Sequence, residues 1–246
     1  MKKIIFILII RFCLLNAYTF SPPTVSLSAS GINSSFIYTI KNEDDRIVPI
    51  DLSINKFSKD IDGNHIQGEI VYDDFIIYPA QFILDVGEKR SVQVRWTGEP
   101  KVDIEQNFTI LCKEVFLPKK ETKSSKVSAI VKVKMNYEGR LYIEPENGYS
   151  GIVLDAINSP VNENGEQMLE IVVRNIGNIH GNLSSFNFIV NLFEGNADEI
   201  AQSLTLTSKE IPKMLSSIHA GSKRRYRIPW PEEIPFGNIN VELRKK

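Results

Sequence analysis

Little in this chain of 246 residues points to bond-making chemistry. Its two cysteines, Cys13 and Cys112, are too few for a disulfide scaffold or a thiolate metal site. Its three histidines, His65, His180 and His219, are far apart and show no metal-ligand spacing. Charge of one sign is not in excess. Lys and Arg number 29 against 30 Asp and Glu, a net charge of -1, which argues against a nucleic-acid binder. No nucleophile elbow, phosphate-binding glycine loop or paired-carboxylate site occurs, so an enzyme is not expected and no cofactor is implied. What remains is an ordinary globular composition, 42% hydrophobic and 24% charged. The length suffices for two domains of about 100 to 120 residues each.

Long apolar runs are confined to the start. Met1-Lys2-Lys3 is a short positive segment, Ile4 to Ile10 is wholly apolar, and after Arg11 the run resumes through Leu15. Ala17 offers a small residue before a cleavage point. This is the anatomy of a secretory signal peptide over residues 1–17. A spanning helix needs about 20 predominantly apolar residues, and this run is shorter and carries a charge. Without the segment the chain has 26 basic and 30 acidic residues, a net charge of -4, and Cys112 as its single cysteine. No later stretch approaches membrane length, so the mature chain is expected to be soluble outside the cytoplasm, with no membrane insertion.

From Phe20 onward the dominant hydrophobic period is two, the mark of half-buried strands. Phe36, Tyr38 and Ile40 alternate with Ile37, Thr39 and Lys41. Ile50, Leu52 and Ile54 form a second set, Val92, Val94 and Trp96 a third, and Phe108, Ile110 and Cys112 a fourth. Turn residues separate the runs, as in Asn42 to Asp45, Asp60 to Asn64 and Asp85 to Glu88. The second half repeats the style with Leu169, Ile171 and Val173, then Phe186, Phe188 and Val190, and last Ile239, Val241 and Leu243. Asn196 to Leu204 reads as a short helix or an edge strand. No internal repeat is visible by direct identity. A long strand-like run, Lys126 to Ile143, ends in Glu144-Pro145-Glu146-Asn147-Gly148. Proline removes a ladder donor and glycine permits a turn, so a boundary near Pro145 is expected. It would divide residues 18–144 from residues 145–246, each the size of one immunoglobulin-like β-sandwich.

Within this frame an ordered series of segments resembles the PapD-like periplasmic chaperones. Ile77 to Trp96, with Pro79 ahead of Gly87 and a basic strand end, is similar to the middle of that family's first domain. Asn107 to Pro118 resembles the strand and exit that follow. Leu141-Tyr142-Ile143-Glu144-Pro145 resembles the crossing into domain two, and Arg174 to Leu183 an early strand of the second domain. The resemblance implies an all-β protein of two immunoglobulin-like sandwiches arranged as a boomerang. It implies a periplasmic location and a role as chaperone for pilus or fimbrial subunits, which it would deliver to an outer-membrane usher. Such subunits lack a last strand, and the chaperone lends an edge strand of its own.

That role requires a long alternating strand. Val127, Ala129, Val131, Val133 and Met135 fall on one face, and Ser128, Ile130, Lys132 and Lys134 on the other. A core strand of this domain would alternate in the same way. Family members also hold the subunit's terminal carboxylate with an arginine on the first strand and a lysine on the donor strand. Here the expected first strand, Thr24 to Ser30, has no basic residue. Lys132, Lys134 and Arg140 are the candidate anchors. Of the other candidates, Lys223-Arg224-Arg225-Tyr226-Arg227 reads as a solvated strand and turn rather than an acidic-partner site. Cys112 reads as a buried, inert thiol. An extracellular immunoglobulin-like adhesion or binding module without chaperone activity is the alternative function.

Overall fold

The computed structural model describes residues 18–116, 134–193, 199–211, 214 and 216–246. The expected signal peptide lies outside the described residues, as do Val127, Ala129, Val131, Lys132 and Val133.

The first packed unit contains strands β1 (Tyr18–Ser21), β2 (Thr24–Ser28), β3 (Ser35–Asn42), β4 (Val48–Lys59) and β5 (His65–Ile70). It continues with β6 (Phe75–Tyr78), β7 (Gln81–Leu84), β8 (Lys89–Trp96), β9 (Gln106–Glu114) and β10 (Asn136–Glu144). One sheet has the order β1-β3-β8-β6. The other runs β2-β10-β9-β4-β5, with β7 also paired to β4. Period-two alternation supplies the core between them. Tyr38 and Ile40 of β3, Ile50, Leu52 and Ile54 of β4, and Val92, Val94 and Trp96 of β8 are all buried, while Ile37 points outward. Phe108, Ile110 and Cys112 of β9 are buried as the alternation predicts, but so are Thr109 and Leu111. The strand is central, and its cross-strand neighbours on this second face include the long side chains of Arg140 and Glu138.

The strand expected at Thr24 to Ser30 is β2, which ends at Ser28, but a further strand, β1, precedes it. Pro22 and Pro23 separate the two, and neither can donate to a ladder. Before them β1 pairs antiparallel with β3; after them β2 pairs parallel with β10, in the other sheet. The switch has a consequence for β10. Its pairing with β9 runs from Asn136 to Ile143, whereas β2 accompanies it only from Arg140 to Glu144. Among the described residues no strand pairs with the second edge of Asn136 to Gly139.

The second unit contains β11 (Ile152–Asn158), β12 (Met168–Asn175), β13 (Phe186–Phe193), β14 (Ile200–Leu206), β15 (Lys223–Pro229) and β16 (Asn238–Lys245). Its sheets are β11-β12-β15 and β14-β13-β16. Leu169, Ile171, Val173, Phe188, Val190, Tyr226 and Val241 meet in its core. Of the segment Asn196 to Leu204, residues 196–198 lie outside the described residues, and Ile200 onward forms an edge strand, β14.

The two units share a device that direct identity did not reveal. Asn42 closes β3 and Asn175 closes β12, and both are fully buried. The Asn42 side-chain amide donates to the carbonyls of Arg46, Leu84 and Asp85. The Asn175 amide donates to those of Ile179 and Ile218, and its oxygen accepts from the backbone of Gly151 and Gly177. Each asparagine ties a strand end to the next turn by satisfying backbone groups that would otherwise be orphaned. Among the described residues no helix is long and apolar enough to cross a membrane.

Candidate functional site

The end of β4 with the turn after it, the segment ahead of β9, and β10 meet the β12–β13 connection, the β14–β15 connection and β15, so that the two units touch. The turn after β4 makes the firmest contact. The Arg225 guanidinium donates to both oxygens of Asp62 at 2.7 Å, and the Arg225 backbone N–H donates to the Ile61 carbonyl at 2.8 Å. Gly63 has a φ of 85°, and a Cβ built there would lie 1.5 Å from the Arg224 guanidinium. Only glycine fits both the left-handed turn and that close approach.

A second contact sets Glu105, just ahead of β9, against the β12–β13 connection. The Glu105 N–H donates to the Asn178 carbonyl, and the Asn178 side-chain amide donates to the Asp103 carbonyl. The Glu105 carboxylate lies 2.6 Å from His180 Nδ1 and also accepts from the His180 backbone N–H. This contact is the first cause of a His180 imidazole held above its ordinary range. The Tyr142 ring stacks on His180 at 4.3 Å.

Between these contacts lies a cluster of cations. Lys59 ends β4, and its Nζ donates to the carbonyl and hydroxyl of Ser217. Arg224 on β15 is only 2% exposed and donates to the Ser216 hydroxyl and the Ser217 carbonyl. Arg140 on β10 lies 4.1 Å over the Phe57 ring and approaches His65 at 3.0 Å. Phe57 also meets His219 edge-on at 5.2 Å. Arg140 has an ion pair with Glu138, but Lys59 and Arg224 have none among the described residues. Their partners are neutral oxygens. Burial, then Arg224 and Arg140, pushes the Lys59 amine down to about 8. Burial, then Lys59, pushes His219 down to about 4. Arg224 Nε and His219 Nε2 are buried with no hydrogen-bond partner. Such a cluster favours an anion beyond the Asp60 and Asp62 charges that already bear on Arg224, because like charges partly withdrawn from water raise one another's energy and unspent donors cost free energy.

The sequence-derived site residues fare unequally. Arg140 belongs to the cluster. Lys134 does not: its Nζ lies 3.6 Å over the Phe116 ring. Met135 precedes β10 rather than lying in a strand and is 42% exposed, with its carbonyl accepting from the Tyr18 hydroxyl. The register sets Thr24 beside Arg140, so the first strand offers no cation there. The other cations come from Lys59 and Arg224, which sequence reasoning missed. The reading of residues 223–227 as a solvated run needs correction at Arg224, which alternation turns into the protein. Its neighbours are engaged as well: Lys223 with Asp155, Arg225 with Asp62 and Arg227 with Glu170. Cys112 is fully buried and its thiol is pushed up to about 12, chiefly by burial.

No protein-family model and no curated protein matches the sequence. Solved structures do. A chain from the chaperone–tip adhesin complex of CFA/I fimbriae biogenesis superposes with a TM-score of 0.55 at 12% identity, covering 92% of this chain and 97% of that one. The class 5 fimbriae chaperone CfaA gives 0.53 at 13% identity, covering 93% and 99%. The E. coli chaperone DraB gives 0.51 at 15% identity, covering 94% and 96%. Over nearly its whole length, this chain has the fold of the fimbrial chaperones, two immunoglobulin-like β-sandwiches in series.

Proposed function

We propose that this protein is a periplasmic chaperone that holds pilus or fimbrial subunits by donating a strand edge and passes them to an outer-membrane usher. Export would follow from the signal peptide over residues 1–17, and the division between domains would fall near Pro145. The observation that carries the reading is the cation cluster of Lys59, Arg140 and Arg224 at the junction, two of them without an ion pair among the described residues, beside a β10 edge that is open over Asn136 to Gly139. A subunit strand laid along that edge, and along the alternating stretch Val127 to Val133 that precedes it, would run toward the cluster. Its terminal carboxylate would supply the missing anion. Lys59 and Arg224 then stand in for the absent first-strand arginine, while Lys134 sits apart over the Phe116 ring and Lys132 lies outside the described residues.

The test is recovery of the protein from the periplasm of its own cell, with mass spectrometry of what accompanies it. The expected companion is a fimbrial subunit lacking its last strand. Charge-assisted hydrogen bonds contribute about 1.5 to 3 kcal/mol each. Arg140→Ala should therefore weaken subunit binding by roughly 10- to 150-fold without unfolding the chaperone. Val131→Asp with Val133→Asp should abolish capture by placing charge in the subunit's apolar groove. Pili assembled normally by a cell carrying that double variant would refute the reading.

A further inference from the structure

We propose that Glu105, Glu144 and His180 form a divalent-metal site that clips the two sandwiches together, and that zinc is the cation it suits. The three side chains come from three places: the segment ahead of β9, the last residue of β10, and the connection between β12 and β13. Each can offer one ligand atom such that all three atoms lie within 4.8 Å of one another.

An acidic pair alone would carry no such claim. The second observation is the state of Glu105. The residue is 4% exposed, and its Oε1 is buried with no hydrogen-bond partner. Only Oε2 is used, by the imidazole and backbone of His180. A buried carboxylate oxygen without a donor costs free energy that a cation would recover. The Glu144 side chain is half-buried and has no hydrogen bond or ion pair among the described residues. Lys59, which bears electrostatically on His180, is turned to Ser217 instead. The positions are held before any ion arrives: Tyr142 stacks on the imidazole, and Asn178 grips the backbone on both sides of Ile104.

The donor set decides the metal class. One imidazole nitrogen and two carboxylates suit zinc, with bonds of about 2.0 to 2.2 Å and water in a fourth position. A calcium or magnesium site would be built from oxygens alone. Because Glu105 and His180 belong to different sandwiches, the ion would fix their relative placement.

The experiment is titration of the purified, chelator-stripped protein with zinc chloride against a chromophoric competitor, followed by X-ray absorption at the zinc edge. One zinc per chain is expected, with nitrogen and oxygen neighbours, one imidazole and no sulfur. Glu144→Gln removes a ligand without removing any hydrogen bond of the described residues, so it should fold and bind zinc at least tenfold more weakly. His180→Gln should do the same, whereas His65→Gln should stay within twofold. Absence of saturable binding would overturn the proposal, as would binding unchanged in Glu144→Gln and His180→Gln. Subunit capture is a separate readout, so failure here leaves the chaperone reading untouched, and the reverse holds.

Discussion

His219 offers a titration that follows directly from its surroundings. The ring is 6% exposed, packs edge-on against Phe57 of the other sandwich, and is pushed down to about 4 by burial and then by Lys59. An unfolded histidine takes up its proton near pH 6.5. Below that value the unfolded chain binds a proton that the folded chain refuses, so stability is lost as pH falls from about 6.5 toward 4. Between about pH 7.5 and pH 5 the loss from this one group is about 2 kcal/mol. His180 works in the opposite direction. Its folded value is raised by Glu105, so its contribution is present below about 6.5 and is lost as pH rises through the folded value. The two must be separated. Urea unfolding across that range, compared between the native protein and His219→Leu, isolates the first group, and the variant should lose less stability on acidification by about 2 kcal/mol. Imidazole resonances followed by NMR give the direct check, with the His219 ring neutral down to about pH 5. A His219 that titrates near 6.5, or an acid slope unchanged in the variant, would refute the account of the cluster. An anion seated between Lys59 and Arg224 should shift the His219 value upward, because it offsets the charges that hold it down.

Three further outcomes rest on single contacts. Gly63→Ala should destabilise by more than the roughly 1 kcal/mol expected for a left-handed glycine, because its Cβ displaces Arg224. Gly165→Ala, at φ 82° with open space around it, should show only the backbone part, and equal losses in denaturant melts would count against the junction contact. Tyr18→Phe removes a hydroxyl shared between the carbonyls of Cys112 at 2.6 Å and Met135 at 2.9 Å; a loss of about 1 kcal/mol in the same melts is expected. The Cys112 thiol, fully buried and held near 12, should react with a thiol reagent only as fast as the first sandwich unfolds, and prompt labelling of the native protein would contradict its placement.

Legibility in the sequence followed the strength of local patterning. Strands β3, β4 and β8 announced themselves because each buries one face, and alternation of apolar and polar residues records that directly. Strand β5 left no such trace. All six of its residues are exposed, so it is a strand only because β4 offers it a ladder. The matched asparagines Asn42 and Asn175 were equally silent, since identity elsewhere between the two halves is too low to align them.

Composition and period by themselves pointed to an all-β chain, made thiolate or clustered-histidine metal chemistry unexpected, and led to the expectation of an exportable leader. Those conclusions need only what each residue type does within a few neighbours. The cation cluster was decided by tertiary structure alone. Lys59 and Arg224 stand 165 positions apart, and nothing local marks either as a partner of Arg140. The same holds for Glu105 and His180, which only the docking of one sandwich on the other brings to 2.6 Å. The prolines at 22 and 23 lie between these cases: they are plain in the sequence as a break, but only the pairing of β2 with β10 makes that break the reason an edge is left open.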